Sequence, residues 1–338
     1  MINTVYRLIA PKSIRADFVD LNIDEERVII RPTYLSICAA DERYYTGSRG
    51  EVVMKQKLPM ALIHEAVGEV VYDPKGEYKV GTQVVMVPNT PYEKDPVIKE
   101  NYLRSSKFRA SGFDGFMQNV VSMRRDLIIP FDYDPSVAVL LELCSVGMNA
   151  VENFDAHANE NRDTIGIWGN GNVGFVTALI LRKKFPNAKL YVFGVQEHKN
   201  DYFSFADKTF LVDDIPDDLV IDHAFECVGG RGSEAAINQI IDYIKPQGTI
   251  NLMGVSEKPV PINTRMVLEK GLTLLGNSRS NYDDFKKCVD LMSENDDVRE
   301  YLSTIVSEMV YVHSIDDMIR AFEDDVNNDF KTVMKWEI

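Results

Sequence analysis

Cysteine is scarce in this chain, and long apolar runs are missing. No two cysteines form a CxxC pair, so we expect no disulfide framework. The four stand far apart, at Cys38, Cys144, Cys227 and Cys288. No stretch approaches the roughly 20 apolar residues of a membrane span, and the N-terminus lacks the apolar region of a signal peptide. We therefore expect a soluble, cytoplasmic protein.

Positive charge is also in deficit. The chain has 37 Lys and Arg against 52 Asp and Glu, a formal net charge of −15. Binding to nucleic acid or to an anionic membrane needs clustered cations, so the composition argues against both classes of partner. An anionic ligand must therefore meet a local basic site.

The length of 338 residues, with 45% hydrophobic residues, predicts two domains. Short β-like runs separated by Gly, Pro and Asn precede residue 145, which predicts a small, mostly antiparallel β domain. Strand and helix patterns alternate after it, as in a doubly wound parallel sheet. The fold class is therefore α/β. Beyond Asn281 a helix is predicted over 283–294, and the alternation fades.

A glycine motif follows the first strand of the alternating half. Residues 165–168 read as a strand, 172–184 as a helix and 189–193 as a second strand. Glycines between the first strand and the helix allow backbone to approach a pyrophosphate at the helix N-terminus, which indicates a dinucleotide site. The alternative is a turn whose glycines serve packing alone. The candidate cofactor-binding residues are Gly169, Asn170, Gly171, Asn172, Val173 and Gly174.

The end of the second predicted strand bears on the choice of cofactor. An NAD site usually has an acidic residue about 20 residues after the glycines, to hold the ribose 2′-OH. Gly194 stands there, and His198 and Lys199 follow as cations for a 2′-phosphate. NADP(H) is therefore favoured over NAD(H), although Glu197 offers the opposite interpretation if it takes the ribose role. The alternative for His198 and Lys199 is an exposed polar loop without a cofactor role.

Residues with metal-binding side chains occur in the β-rich half. Cys38, His64, Glu65 and Glu142 supply the thiolate, imidazole and carboxylate groups that zinc accepts, and three protein ligands with one open position make a catalytic site. Taken singly, each of them is more often an ordinary buried or surface residue.

Several segments, in their order, resemble the signature of the zinc-dependent medium-chain dehydrogenase family. They are Cys38-Ala-Ala-Asp41, Ile63-His64-Glu65-Ala-Val-Gly68, Asp114-Gly-Phe116, Glu142 with Ser145-Val-Gly147, and the glycine motif. The resemblance implies a GroES-like catalytic domain over 1–145 and a Rossmann NADP(H)-binding domain over 146–280. It also implies a C-terminal segment, 281–338, that returns to the catalytic domain.

Carried over to this chain, the resemblance makes Cys38 and His64 ligands of one catalytic Zn²⁺. Glu65 becomes a ligand or an exchangeable neighbour, and Glu142 is favoured as a ligand over Cys144. Asp41 matches a carboxylate that orients the His64 ring, although a turn or helix cap is its alternative role.

Two departures from the family pattern matter. Residues 88–109 contain no cysteine, so we expect no second, structural zinc. Ala40 stands where the family has a hydroxyl that relays the alcohol proton, and alanine cannot relay one. Glu65, Tyr44 and a zinc-bound water remain alternatives for the proton route.

Within the family, the chain is most similar to the NADPH-dependent ribulose-5-phosphate reductases of teichoic-acid or capsule precursor synthesis. The supporting features are Glu142, Gly194 and the segment 201–205. The similarity implies reduction of D-ribulose 5-phosphate to D-ribitol 5-phosphate, a homodimer or homotetramer, and a nucleotidyltransferase that uses the product. The candidate cations for the substrate phosphate are Arg43, Arg49, Arg104, Lys107 and Arg109.

Three other functions remain open on the sequence alone. One is another NAD(P)-dependent polyol or alcohol dehydrogenase, and a second is a zinc-free member of the superfamily that reduces enones or quinones. The third is a non-catalytic protein that senses NADP(H). The presence of His64, Glu65 and Glu142 together argues against the last two.

Overall fold

Short strands joined by turns make up most of the chain before residue 140. The computed structural model describes residues 2–338. The strands of this part are β1 (Ile2–Ala10), β2 (Ser13–Asp20), β3 (Arg27–Ser36), β4 (Met60–Ala61), β5 (Glu65–Tyr72), β6 (Gln83–Met86), β7 (Asn89–Thr90), β8 (Lys107–Phe108), β9 (Val121–Arg124) and β10 (Ile128–Pro130). The helices are α1 (Ala39–Tyr45), α2 (Glu51–Lys57) and α3 (Pro135–Ala138). The pairs β3·β5, β5·β6 and β6·β10 are all antiparallel, as the sequence predicts.

Strands and helices alternate in the central part of the chain. The helices are α4 (Leu141–His157), α5 (Asn172–Lys184), α6 (Glu197–Asn200), α7 (Ser233–Tyr243) and α8 (Thr264–Lys270). The strands are β11 (Thr164–Trp168), β12 (Lys189–Gly194), β13 (Lys208–Leu211), β14 (His223–Glu226), β15 (Thr249–Leu252) and β16 (Thr273–Gly276). They form one parallel sheet in the order β13-β12-β11-β14-β15-β16. This is the doubly wound order, with a switch of direction beside β11. The predicted α/β fold class is confirmed.

The last segment contains α9 (Tyr282–Glu294), α10 (Asp296–Thr304), β17 (Val306–Val312), α11 (Ile315–Asp325) and β18 (Lys331–Trp336). A capping box between Asn281 and Asp284 starts α9. Strand β18 pairs antiparallel with β3, where Val333 faces Ser36, and parallel with β17. The final strand of the chain therefore joins the sheet formed by the N-terminal part.

The chain consists of two compact units. One contains residues 2–142 together with Ser280–Ile338, and the other contains Leu143–Arg279. In the second unit, Trp168 stacks on Phe193 with ring centroids 3.8 Å apart, in a core shared by β11, β12 and β14. Within residues 2–338, no helix combines the length and the apolar character needed to cross a membrane.

Candidate active site

Cys38 lies between the end of β3 and the start of α1. Its carbonyl oxygen accepts hydrogen bonds from the N–H groups of Asp41 (2.8 Å) and Glu42 (3.0 Å), so the residue forms the N-terminal cap of the helix. Its thiol caps no helix amide and is half-buried. The helix start thus fixes the backbone while the sulfur remains available as a ligand.

The backbone just before His64 is strained. Ile63 has φ +68°, a conformation that is costly for a β-branched residue. Its N–H donates to Asp41 Oδ1 (2.9 Å), and its carbonyl accepts from the N–H of Phe116 (2.8 Å). Gly115 makes this approach possible, because a Cβ there would lie 2.3 Å from the carbonyl oxygen of Ile63. These contacts keep Ile63 in its strained conformation and thereby fix the direction of the His64 side chain.

The His64 ring is held on two sides. Its Nδ1 lies 3.2 Å from Oδ2 of Asp41, a residue only 1% exposed, and its ring centroid lies 5.2 Å from that of Phe108. A carboxylate on one ring nitrogen fixes the tautomer and raises the basicity of the other. The Nε2 atom is therefore the one suited to a metal.

Cys38, His64 and Glu65 bring their ligand atoms within 4.8 Å of one another. Thiolate, imidazole and carboxylate are zinc ligands. Burial alone would lower the pKa of His64, but the charges of Asp41 and Cys38 outweigh it and raise that pKa well above its usual value. Glu65 Oε2 is buried and has no hydrogen-bond partner. The donor types, the orphaned oxygen and the preference for positive charge all fit a zinc ion.

Glu65 also forms a buried ion pair with the last strand. Lys331 of β18 donates from Nζ to Glu65 Oε1 (2.6 Å) and to the carbonyl of Ile37 (2.8 Å). Lys331 and Glu65 are 2% and 0% exposed. Burial by itself lowers the pKa of Lys331, and the charges of Glu65 and Cys38 reverse the effect and raise it. One carboxylate oxygen thus engages the lysine and the other remains for coordination.

Glu142 stands in the first turn of α4 and is 4% exposed. It is not one of the residues whose ligand atoms lie within 4.8 Å of one another. Burial raises its pKa, with the charge of Glu65 acting in the same direction and that of His64 against it. It is thus electrostatically coupled to the cluster. Cys144, two residues later, is buried.

The predicted glycine turn joins β11 to α5 at the carboxyl end of the parallel sheet. Gly169 has φ +113°, and a Cβ on Gly174 would lie 1.8 Å from the carbonyl oxygen of Gly169. Gly171 caps α5, and a Cβ there would meet nothing within 4 Å. Asn172 Oδ1 is buried without a hydrogen-bond partner. Tight packing behind the turn and open space in front of the helix N-terminus fit a bound pyrophosphate.

The second strand, β12, ends at Gly194, and α6 follows within three residues. Gly194 is buried, whereas Glu197 and His198 are exposed and Lys199 is half-buried. The side chain of Asn170, from the glycine turn, lies directly against Gly194. Within this unit the structure therefore brings together the glycine turn and the segment that carries the predicted cations.

The five cations considered for a substrate phosphate lie in different surroundings. Arg43 and Arg49 lie on and just after α1, the helix that Cys38 starts, and the Nε atom of each is buried without a hydrogen-bond partner. Arg49 lies over the ring of buried Tyr44 at 4.9 Å. The Nε atom of Arg109 is likewise buried without a partner, and its guanidinium lies over Phe113 and Phe116. Lys107 lies over Tyr92, and Arg104 is exposed.

The chain matches two sequence profiles of known proteins. The profile described as alcohol dehydrogenase GroES-like domain matches residues 24–133, and the one described as zinc-binding dehydrogenase matches residues 187–294. The ribulose-5-phosphate reductase of Bacillus spizizenii is 51% identical over 341 residues, which cover 100% of both chains. The chain belongs to the zinc-binding dehydrogenase family. The resemblance inferred from the sequence motifs is confirmed.

Other relatives of this dehydrogenase are similar along their whole length. Ribulose-5-phosphate reductase 1 of Staphylococcus aureus is 53% identical over 339 residues, 99% of each chain. The crystal structure of S. aureus TarJ in complex with NADPH has a TM-score of 0.89, 47% identity and complete coverage of both chains. The GroES-like profile over residues 24–133 and the order of the parallel sheet give the two parts of the chain their GroES-like and Rossmann character.

The sequence of the dehydrogenase did not reveal two features of the site. Lys331 lies 266 residues after Glu65, and its only signal in the sequence is a lysine directly before Thr332-Val-Met334. The positive φ of Ile63 had no signal at all, because a β-branched residue favours extended backbone. Both features arise from tertiary contacts.

Proposed function

We propose that this chain reduces D-ribulose 5-phosphate to D-ribitol 5-phosphate with NADPH. The observation that carries the proposal is the full-length identity of 51% and 53% to two ribulose-5-phosphate reductases. The buried cluster of Cys38, His64 and Glu65 gives that similarity a chemical basis.

Cys38, His64 and Glu65 would hold the zinc ion, and Glu142 would be the further carboxylate ligand. When bound, zinc would supply Lewis-acid polarisation of the C2 carbonyl of the ketose, and hydride from NADPH together with a proton would complete the alcohol. The raised pKa of Glu142 marks a carboxyl whose ionised form is costly until a cation lies nearby. Metal binding and ionisation of Glu142 thus support each other.

Asp41 and Lys331 act on the ligands rather than on the substrate. Asp41 keeps Nδ1 of His64 engaged, so that Nε2 faces the metal. Lys331 balances the charge of Glu65 and holds one of its oxygens, which leaves the other free to bind or release the metal.

Arg43 and Arg49 bind the 5-phosphate of the substrate. Cys38 caps the helix that carries Arg43, which places Arg43 about 7.5 Å further along the helix axis. Buried guanidinium nitrogens without partners favour an anion, and the planar fork of arginine suits phosphate. Arg109 also has a buried Nε without a partner, but its Nη1 already donates to the carbonyl of Asp114 (3.1 Å). Lys107 is exposed, so we assign neither of these two residues to the phosphate.

The turn from Gly169 to Gly174 binds the pyrophosphate of NADPH at the start of α5. Backbone N–H groups make these contacts: Asn170 lies in the turn, and Asn172 and Val173 begin α5. The side-chain amide of Asn170 is instead bonded to residues 196 and 200. No acidic side chain occupies position 194 at the end of β12, and His198 and Lys199 neutralise the 2′-phosphate.

The product, a polyol phosphate, is the substrate of a nucleotidyltransferase in teichoic-acid or capsule precursor synthesis, and we place the enzyme in the cytoplasm. It acts as a homodimer or homotetramer. Within residues 2–338, strand β16 has a sheet neighbour on one side only, and Val255 and Leu268 of the same unit are exposed. An unpaired strand edge is suited to association with a second copy.

Isotope transfer tests the proposed reaction directly. NADPH deuterated at the nicotinamide C4 is incubated with D-ribulose 5-phosphate, and the product is analysed by mass spectrometry and NMR. We expect ribitol 5-phosphate that carries deuterium at C2. Deuterium at another carbon, or no reduced product from a zinc-loaded enzyme that turns over other polyols or ketoses, would contradict the proposal.

A further inference from the structure

Asn170 fills the space beside Gly194. A Cβ built on Gly194 would lie 2.1 Å from both Cγ and Nδ2 of Asn170 and 2.6 Å from its Oδ1. Real Cβ atoms do not approach other heavy atoms this closely. Asn170 is itself only 5% exposed, so its amide is a fixed part of the structure. No residue larger than glycine fits at position 194 while Asn170 keeps this position.

The same amide binds the segment that follows β12. Asn170 Nδ2 donates to the carbonyl of Gln196 (2.7 Å) and to Oδ1 of Asn200 (2.9 Å). These acceptors stand just before α6 and at its end, so one side chain spans the short helix. Both hydrogens of the amide are used. Asn170 thereby links the glycine turn to the backbone that carries His198 and Lys199.

These contacts matter because of their place in the sheet. The end of the second strand is where a carboxylate holds the ribose 2′-OH of NAD(H). At that place this chain has an amide that comes from a different loop and excludes any side chain at position 194. A carboxylate there would also repel the 2′-phosphate of NADPH.

We propose that Asn170 determines cofactor specificity, by excluding a ribose-binding carboxylate from position 194 and by fixing residues 196–200 to receive a 2′-phosphate. This role rests on the proposed use of NADPH, and it adds a specificity residue to the two cations His198 and Lys199. Asn170 is a positioning residue, since it acts through Gly194 and through the backbone of residues 196–200.

The exclusion is tested with a pair of substitutions. Gly194→Asp alone should weaken the binding of both NADPH and NADH, because the new side chain collides with Asn170. Asn170→Ala with Gly194→Asp removes the collision, so NADH binding should recover. The ratio of Kd for NADH to Kd for NADPH should then fall about 100-fold from that of the unsubstituted protein.

The hydrogen bonds from Asn170 to residues 196 and 200 are tested separately. Asn170→Ala and Asn170→Val, neither of which adds a charge, each remove both amide hydrogens. Each should weaken binding of NADPH and of 2′,5′-ADP about tenfold and leave NADH and 5′-AMP nearly unchanged. Asn238→Ala is the control, because Asn238 in the same unit donates its amide hydrogens to the carbonyls of Glu234 in α7 and of Pro261. Asn238→Ala should not change the ratio of Kd for NADH to Kd for NADPH.

Binding is followed by fluorescence titration and calorimetry without a sugar substrate, so the result does not depend on ribulose 5-phosphate being the substrate. Failure of D-ribulose 5-phosphate turnover alongside the predicted Kd changes would overturn the substrate and leave the role of Asn170 standing. The role of Asn170 is overturned if both Asn170 variants lose thermal stability with an unchanged cofactor ratio. It is also overturned if the double variant binds NADH no better than Gly194→Asp.

Discussion

Single side chains around the metal-binding cluster are set by contacts with residues far away in the sequence. Asp41 illustrates this, because one carboxylate holds both the strained backbone of Ile63 and the ring of His64. The motif Cys38-Ala-Ala-Asp41 was visible in the sequence, and so was His64-Glu65. The contact between the two segments depends on folding.

Replacing Asp41 with Asn should weaken the metal site. The amide keeps the volume but removes the negative charge that orients His64, so zinc affinity or kcat should fall about 10–100-fold. Zinc affinity measured against a competing chelator checks this. Asp126→Asn is the control, since Asp126 is an exposed carboxylate paired with Arg124. Unchanged zinc affinity and kcat in Asp41→Asn would contradict the orienting role.

Replacing Arg49 with Gln should weaken recognition of the substrate's phosphate group and leave reduction of the sugar itself unaffected. Loss of a charge-assisted hydrogen bond should raise KM for D-ribulose 5-phosphate about tenfold or more. The rate with unphosphorylated D-ribulose as substrate should stay the same. Arg104→Gln, an exposed arginine in the same unit, should leave both rates unchanged. An equal loss of activity with D-ribulose 5-phosphate and with D-ribulose would show that Arg49 does not bind the phosphate.

Strands and helices bring these residues together in ways that sequence patterns predict unequally. The helix over 172–184 was predicted with its correct ends, because a glycine turn starts it and Arg182, Lys183 and Lys184 close its last turn. No sequence pattern predicts strand β13, because Lys208-Thr-Phe-Leu211 has no clear alternation of apolar and polar residues. Pairing of β18 with β3 joins residues about 300 positions apart, and no local pattern reports such a contact.

Strand β18 stabilises the cluster through Lys331. Lys331→Met should therefore lower the free energy of unfolding by about 3–5 kcal/mol, because Glu65 would keep a buried, uncompensated charge. Denaturant unfolding of the zinc-free protein measures this. Lys335→Met on the same strand removes only a partly exposed pair with Glu337 and should cost less than about 1 kcal/mol. Equal losses in the two variants would contradict the role of the buried pair.

The central strands of the parallel sheet should respond to pH through His223. This residue of β14 is 0% exposed, and its Nδ1 accepts the N–H of Thr249 in β15 (3.0 Å). Burial lowers its pKa to about 4 from 6.5. The unfolded chain therefore takes up a proton first as pH falls. The contribution to stability is complete above about pH 6.5 and is lost between pH 6.5 and 4.

Hydrogen exchange at the amides of β14 and β15 measures this response. His223→Asn retains an acceptor for Thr249 and should remove that part of the pH dependence. His157→Asn, at an exposed position, should retain it. Identical profiles for the unsubstituted protein and His223→Asn between pH 4 and 6.5 would contradict the assignment.

For the whole chain, the family, the fold class and the metal-binding motif could all be inferred from the sequence, because each depends on residue types in a fixed order. The contacts of Asn170 with Gly194 and of Glu65 with Lys331 could not, because each joins elements that the chain order separates. Both contacts modify a site that the motifs had already located.

The central claim is that the molecule is a zinc enzyme that uses NADPH to reduce a ketose phosphate. Initial rates with D-ribulose 5-phosphate, measured with NADPH and with NADH on a preparation of known zinc content, test it most directly. We predict turnover that prefers NADPH, about one zinc per chain, and a rate that falls on chelation and returns with added Zn²⁺. A zinc-loaded protein without turnover, or a full rate in protein free of zinc, would contradict the account.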